Sequence, residues 1–347
     1  MAIGENEVRE ALKQVKFPGL NRDIVSFGFV KQIAVDGGSV RVEIAFSSAN
    51  AEAGATVERE ARRVLQGLEG VEGVEVSVQA QPPEGARPAP RLLSGVRFKV
   101  AVASGKGGVG KSTVAANLAL ALKDLGLTVG LLDADIYGPS QQMMMGATEA
   151  PRVTPEEKVL PVDAAGVKVM SLGFLMDPDT PVIWRGPMVM KAIQQFLEDV
   201  EWGTLDCLVV DLPPGTGDAQ LTITQQVPLD GAVIVTTPQD VALIDARKGL
   251  AMFRKVNVRV FGVVENMSWF VCPNCGHREE IFKVGGGKRT AEELGVPFLG
   301  AIPIDPAIVV GGDAGTPIVR SHPESEAAAA FTEVARSVLS QLNGAPA

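Results

Sequence analysis

Three cysteines in 347 residues are too few for a disulfide framework, which sets aside the small secreted scaffolds that depend on one. No apolar run reaches the roughly 18 residues of a membrane span. The opening MAIGENEVRE carries neither the basic nor the apolar part of a signal peptide, so the expectation is a cytoplasmic protein with no membrane partner. Positive charge is also short. The 32 Lys and Arg against 41 Asp and Glu leave a net charge of −9, which argues against holding nucleic acid through phosphate contacts. What is there is a chain 46% apolar and 21% charged, the balance of a globular protein with a core. Its length suits about two domains.

Residues 1–80 read as a small α/β domain. A helix near Glu7 to Val15 precedes two apolar-alternating runs, FGFVKQIAV and VRVEIAF, joined by Asp36-Gly37-Gly38, a hairpin signal. A charged helix around Val57 to Leu68 and a strand VEVSVQA follow. Residues 81–95, QPPEGARPAPRLLSG, carry four prolines and no hydrophobic period and read as the linker. From 96 to the end, apolar strands alternate with helical patterns: FKVAVAS, a helix from Ser112, TVGLLDAD, CLVVDLPPG, AVIVTTP, a helix after Asp240, VRVFGVVENM, PFLGAIPI and a last helix EAAAAFTEVARSVLSQL. That alternation predicts an α/β domain on a mostly parallel sheet buried on both faces, with ligands at the carboxyl ends of its strands.

Directly after FKVAVAS comes Gly105-Lys106-Gly107-Gly108-Val109-Gly110-Lys111-Ser112-Thr113, a G-x-x-x-x-G-K-[ST] phosphate loop in the strand-then-helix setting the motif needs. Glycines let backbone N–H groups turn toward phosphate oxygens, and the helix adds its positive end. Lys111 is placed to reach the terminal phosphates and Ser112 to ligate Mg²⁺. Asp133, Asp135 and Asp211 close neighbouring apolar runs, where carboxylates hold a metal's waters or orient an attacking water.

The run GKGGVGKST, with Lys106 inside the loop, resembles the deviant Walker ATPases of the MinD kind over most of residues 96–341. The resemblance implies ATP and Mg²⁺ as ligands, hydrolysis, and a homodimer in which Lys106 crosses to the partner's phosphates. It also implies Asp135 for the hydrolytic water and Asp211 for the metal's outer shell, with Asp133 sharing either role. Asn266, Pro303 and Asp305 fall where related ATPases hold adenine; a cap or turn is the alternative for Asn266.

Cys272-Pro-Asn-Cys275-Gly-His277 follows in a loop with Trp269 and Phe270. One pair supplies two thiolates, while zinc and cubane clusters take four ligands, and two copies across a two-fold axis would make up the number. Zinc with His277 as a ligand and a disulfide redox pair are the alternatives. Taken with LLDADIYGPS, DLPPGTGD and ENMSWFVCPNCG, the chain resembles the Mrp/ApbC iron–sulfur carriers, related to the eukaryotic cytosolic scaffold ATPases. That implies a labile [4Fe-4S] cluster bridging two subunits at Cys272 and Cys275, delivered to apo iron–sulfur proteins. The N-terminal domain resembles the MIP-type assembly domain, but Phe46-Ser47-Ser48-Ala49-Asn50 has no cysteine where such domains often carry one. It reads as a docking or regulatory module, with Asp23 a candidate partner contact. The competing class is a MinD/ParA-like positioning ATPase with structural zinc. Its basic membrane or DNA surface has no counterpart in the tail ARSVLSQLNGAPA. Cys207, inside an apolar run, reads as core, and His322 as a surface residue near a helix cap.

Overall fold

The computed structural model describes residues 3–17, 23–47, 51–81, 92–174 and 186–344, and the chain divides into two compact units, Met1–Pro90 and Arg91–Ala347. Most of the Pro-rich stretch, residues 82–91, lies outside the described residues, as do Ser48, Ala49 and Asn50.

The first unit runs α1 (Glu5–Leu12), β1 (Val30–Asp36), β2 (Ser39–Ser47), α2 (Ala51–Gln66) and β3 (Gly73–Gln81). Helix α1 starts earlier than the apolar period suggests, because Glu7 reaches back to accept from the Gly4 N–H at 3.0 Å. Strands β1 and β2 are antiparallel, turned through Gly37 (φ 53°) and Gly38 (φ 94°), the positive dihedrals that a tight hairpin requires. β3 adds parallel to β2, as the α2 crossover demands. Val40, Val42, Ile44 and Phe46 alternate inward on β2 and close the core with Leu12, Ile24, Val57 and Leu65.

The second unit begins with β4 (Val96–Ser104), α3 (Lys111–Asp124), β5 (Val129–Asp133) and the single-turn α4 (Gln141–Met144). A small hairpin, β6 (Arg152–Val153) with β7 (Val159–Leu160), leads to β8 (Val162–Ala164) and β9 (Val167–Ser171). Then come α5 (Gly186–Glu198), β10 (Leu205–Asp211), α6 (Asp218–Gln226), β11 (Gly231–Thr236), α7 (Asp240–Lys255) and β12 (Val260–Glu265). The chain ends with the hairpin β13 (Phe270–Val271) and β14 (Arg278–Glu279), α8 (Gly286–Leu294), β15 (Phe298–Ala301), α9 (Pro306–Asp313), α10 (Ile318–Ser321) and α11 (Glu326–Leu342).

Eight strands form one sheet in the order β15-β12-β11-β4-β10-β5-β9-β8, parallel except for β8, which pairs antiparallel with β9 at the edge. The inner strands are apolar and buried from end to end, as a sheet covered on both faces requires. Ten of the fourteen residues of α3 are buried, so this helix lies inside the unit, packed between the sheet and α11. No helix among the described residues is long and apolar enough to cross a membrane.

Candidate functional site

Three adjoining strands carry the polar groups. β4 feeds the glycine loop, and β10 lies between β4 and β5 with Asp211 in register with Asp133. The loop is held by its own glycines. Gly110 has φ 80°, left-handed backbone, and any Cβ there would fall on the side-chain amide of Asn266. A Cβ on Gly105 would collide with the backbone of Asp245 in α7. Asn266 Nδ2 donates to the Val109 carbonyl at 2.9 Å, so the residue after β12 clasps the loop from the far side.

Lys111 opens α3 with its side chain only 6% exposed. Its ammonium pairs with Asp211, lies 3.4 Å from Asp135 Oδ2 and 3.2 Å from Ser112 Oγ. Burial opposes that charge, but Asp211, Asp135 and Asp133 outweigh it and hold the lysine above its ordinary pKa. The carboxylates go the other way. Burial and the neighbouring Asp211 push Asp133 up to about 7, against the donors it accepts: the N–H groups of Asp135, Ser140 and Gln141 and the Ser171 hydroxyl. Burial likewise raises Asp135, with Lys111 opposing.

Gln141, fully buried at the start of α4, ties these parts together. Its Nε2 donates to Asp211 Oδ2 at 2.7 Å and to the Ser112 carbonyl at 3.0 Å. Nothing in the sequence pattern singles it out, since α4 is one turn long and has no apolar period; only its position eight residues after Asp133 hints at a contact. Among the described residues Asp135 Oδ1 and Gln141 Oε1 are buried without a hydrogen-bond partner. Three carboxylates, one buried lysine and two unmatched acceptors form a site with surplus negative charge, which a hydrated Mg²⁺ beside a nucleotide fits.

Lys106 is half-buried, and among the described residues its side chain has no ion pair. It borders a cleft of about 570 Å³ with Gln239, Asp240, Val241, Ile281, Phe282 and Lys283. Thr113 gives its carbonyl to Asn117 Nδ2 at 2.9 Å. Asp305 caps α9, accepting from the Ala307 N–H at 2.9 Å, and the neighbouring Ile304 N–H donates to the Trp269 carbonyl. Pro303 lies between these anchors and β15.

The cysteines sit at the tip of the β13–β14 hairpin, closed by Cys272 N–H to the His277 carbonyl and Gly276 N–H to the Cys272 carbonyl, both 2.9 Å. Cys275 is exposed and Cys272 half-buried. The backbone N–H groups of Asn274 and Cys275, then the Cys275 thiol, lower the Cys272 pKa toward the thiolate. His277 faces Glu279 at 3.2 Å. Among the described residues no group of three or more His, Cys, Asp or Glu is disposed to ligate a metal ion directly, so the phosphate-site carboxylates suit the waters of a hydrated Mg²⁺ and the hairpin of a single copy offers two thiols. Cys207 is a core residue of β10, its thiol pushed up to about 12 by burial. His322 is exposed beside Ser321, just past α10. In the first unit Asp23 accepts from Ser26 N and Oγ, both at 2.7 Å, which lowers its pKa.

A glycine loop between a buried parallel strand and a helix, with carboxylates on the adjoining strand ends, defines a P-loop NTPase. The fold matches the MinD cell-division ATPase of Pyrococcus furiosus, with a TM-score of 0.54 and 24% identity over 71% of this chain and 99% of that one. A nucleotide-binding protein from Archaeoglobus fulgidus, solved in complex with ADP, is 42% identical with a TM-score of 0.58, over 64% of this chain and 88% of that one. The chain belongs to the family described as NUBPL iron-transfer P-loop NTPase, matched over residues 95–339. Residues 5–78 match a second family, described as iron-sulfur cluster assembly protein. The iron-sulfur cluster carrier protein of Synechocystis is 46% identical over 342 residues, 97% of each chain. Mouse iron-sulfur cluster transfer protein NUBPL is 49% identical over 261 residues, 75% of this chain and 82% of its own.

Proposed function

We propose that the protein is a cytoplasmic homodimeric carrier that binds and slowly hydrolyses MgATP, holds a bridging [4Fe-4S] cluster, and delivers it to apo-proteins. The observation that carries this is the pair of accessible thiols with no third ligand among the described residues, on a hairpin at the sheet end that bears the phosphate loop. Two thiolates per copy leave a cluster ligand set complete only across a two-fold axis. Relatives named for cluster carriage and transfer support the cargo.

In this reading the loop Gly105 to Thr113 cradles the phosphates, and Lys111 exchanges part of its pairing with Asp211 and Asp135 for phosphate oxygens. Ser112 and Asp211 would hold Mg²⁺, which would neutralise charge on the phosphates, and Asp135, with one oxygen unmatched, would orient the attacking water. Asp133 braces the turn that presents Asp135 and Gln141. Lys106 crosses to the partner's phosphates. Asn266, Pro303 and Asp305 lie on the adenine side, Asn266 with one amide hydrogen already on the loop.

The test is anaerobic reconstitution with iron and sulfide, with iron, sulfide and zinc measured per dimer for wild type, Cys272→Ala and Cys275→Ala. About four irons and four sulfides per dimer, lost in both variants and transferable to an apo-acceptor, is the expected outcome. Stoichiometric zinc that resists exchange, with no sulfide taken up, overturns it in favour of a positioning ATPase with a structural metal.

A further inference from the structure

Glu265, the last residue of β12, is fully buried, carries no basic partner among the described residues, and takes no part in the phosphate site. Its carboxylate is satisfied by three donors. Oε1 accepts from the Ser268 hydroxyl and from the Gly285 N–H at 2.9 Å, and Oε2 accepts from the Gly287 N–H at 2.5 Å. Those donors stand at the two roots of one segment. Ser268 is where the chain leaves β12 for the cysteine hairpin, and Gly285 to Gly287 are where it returns into α8. Glycine suits the close approach, since a Cβ on Gly287 would lie 3.0 Å from Glu265 Cβ and 3.1 Å from Glu265 Oε2. The N-terminal end of α8 adds its favourable field to the carboxylate.

The same short stretch also touches the phosphate loop. Asn266, next in sequence, donates to the Val109 carbonyl, and its own N–H donates to the Thr236 carbonyl at the end of β11. Asn266 and Glu265 thus join the phosphate loop to both roots of the segment bearing Cys272 and Cys275. Lys283, paired with Asp240 at 2.7 Å, pins the returning chain beside Lys106.

We propose that Glu265 is the positioning residue that transmits nucleotide occupancy at the phosphate loop to the cysteine hairpin, by clasping both roots of the hairpin to the strand end that grips the loop. The inference rests on the nucleotide-binding part of the proposed function and is independent of what the cysteines carry. In Glu265→Gln the amide oxygen can keep one glycine N–H and the amide nitrogen can donate to the Ser268 hydroxyl, but one glycine N–H loses its acceptor. The clasp then loses one of its two α8 bonds while the side chain keeps its shape. Ser268→Ala breaks it on the other side and leaves the α8 cap intact.

The experiment uses the full chain without iron, and measures alkylation rates of Cys272 and Cys275 by mass spectrometry, with and without a non-hydrolysable MgATP analogue. In wild type the analogue is expected to change the rate at one or both thiols by about fivefold or more, the lower end of ordinary coupling between sites. In Glu265→Gln and Ser268→Ala the rates are expected to become insensitive to the analogue while its affinity, measured separately, stays within about threefold of wild type. A purely structural role would change basal rates or folding and leave the response. The proposal is overturned if the response persists in both variants, or if wild type shows none; should Glu265→Gln not fold, Ser268→Ala decides. Cluster reconstitution, run separately, reports on the carrier reading.

Discussion

Replacing Lys111 with methionine removes the one cation from a buried set of three carboxylates. At 3.4 Å and an effective dielectric constant of about 20, its attraction to Asp135 alone is about 5 kcal/mol, and Asp211 lies closer. Most of that attraction offsets the desolvation of both partners, so the net worth of the pairs is small. Removing one partner is different, because Asp211 is fully buried and would keep, among the described residues, only the Gln141 amide. The expected loss is about 3–5 kcal/mol, the usual cost of stranding a buried charge. Trp202 and Trp269 belong to the second unit and the first unit's sequence has no tryptophan, so the fluorescence change of these two follows the second unit's urea unfolding. In nucleotide-free protein with EDTA, Lys111→Met should lower the unfolding midpoint at unchanged slope. Asp211→Asn should cost less in the Lys111→Met background than on its own. A Lys111→Met variant within about 1 kcal/mol of wild type, or strictly additive substitutions, would refute the pairing argument.

Other expectations follow from the same residues. Asp133 is raised on folding, so its contribution to stability is complete below about pH 4 and is lost as the pH rises through about 7; Asp133→Asn should flatten that fall in urea titrations between pH 5 and pH 8. Gly110→Ala forces a side chain into left-handed backbone and onto Asn266, and should abolish ATP binding by calorimetry while the first unit, followed by proteolysis, stays folded. Gln141→Ala leaves Asp211 Oδ2 without its donor and should cost about 2 kcal/mol of stability in the metal-free protein. Cys207→Ala should leave iron uptake unchanged and cost about 1 kcal/mol, since the thiol fills core volume and does not ionise there.

The parts of the fold and site that could be read from sequence are those written in short contiguous runs. The strands from FKVAVAS to PFLGAIPI are apolar throughout because the sheet buries both faces, and the phosphate loop is nine consecutive residues. β8 and β9 escaped because VDA and VKVMS are too short to show a period, and the edge they form takes one antiparallel strand that no crossover helix announces. Gln141 and Glu265 escaped for another reason. A buried polar side chain is identified by its partners, and those lie 29 and 70 residues away for Gln141 and up to 22 for Glu265. Gly287 is the local sign of the latter, since a Cβ there would lie 3.0 Å from Glu265 Cβ and 3.1 Å from its Oε2. Asn266 illustrates the limit from the other side: its type suited a purine edge or a cap, and only the fold shows that its amide grips Val109.

The cysteine hairpin consists of two strands of two residues each, inserted between the end of β12 and the start of α8. It adds nothing to the eight-stranded sheet, so its sequence is free of the constraints that fix the strands on either side. A lineage could lengthen it, change its cysteines or erase it without retuning the P-loop domain beneath, provided the two roots stayed where they are. Hairpin and P-loop domain are in that sense separately editable, which is a route by which one fold could come to carry different surface attachments.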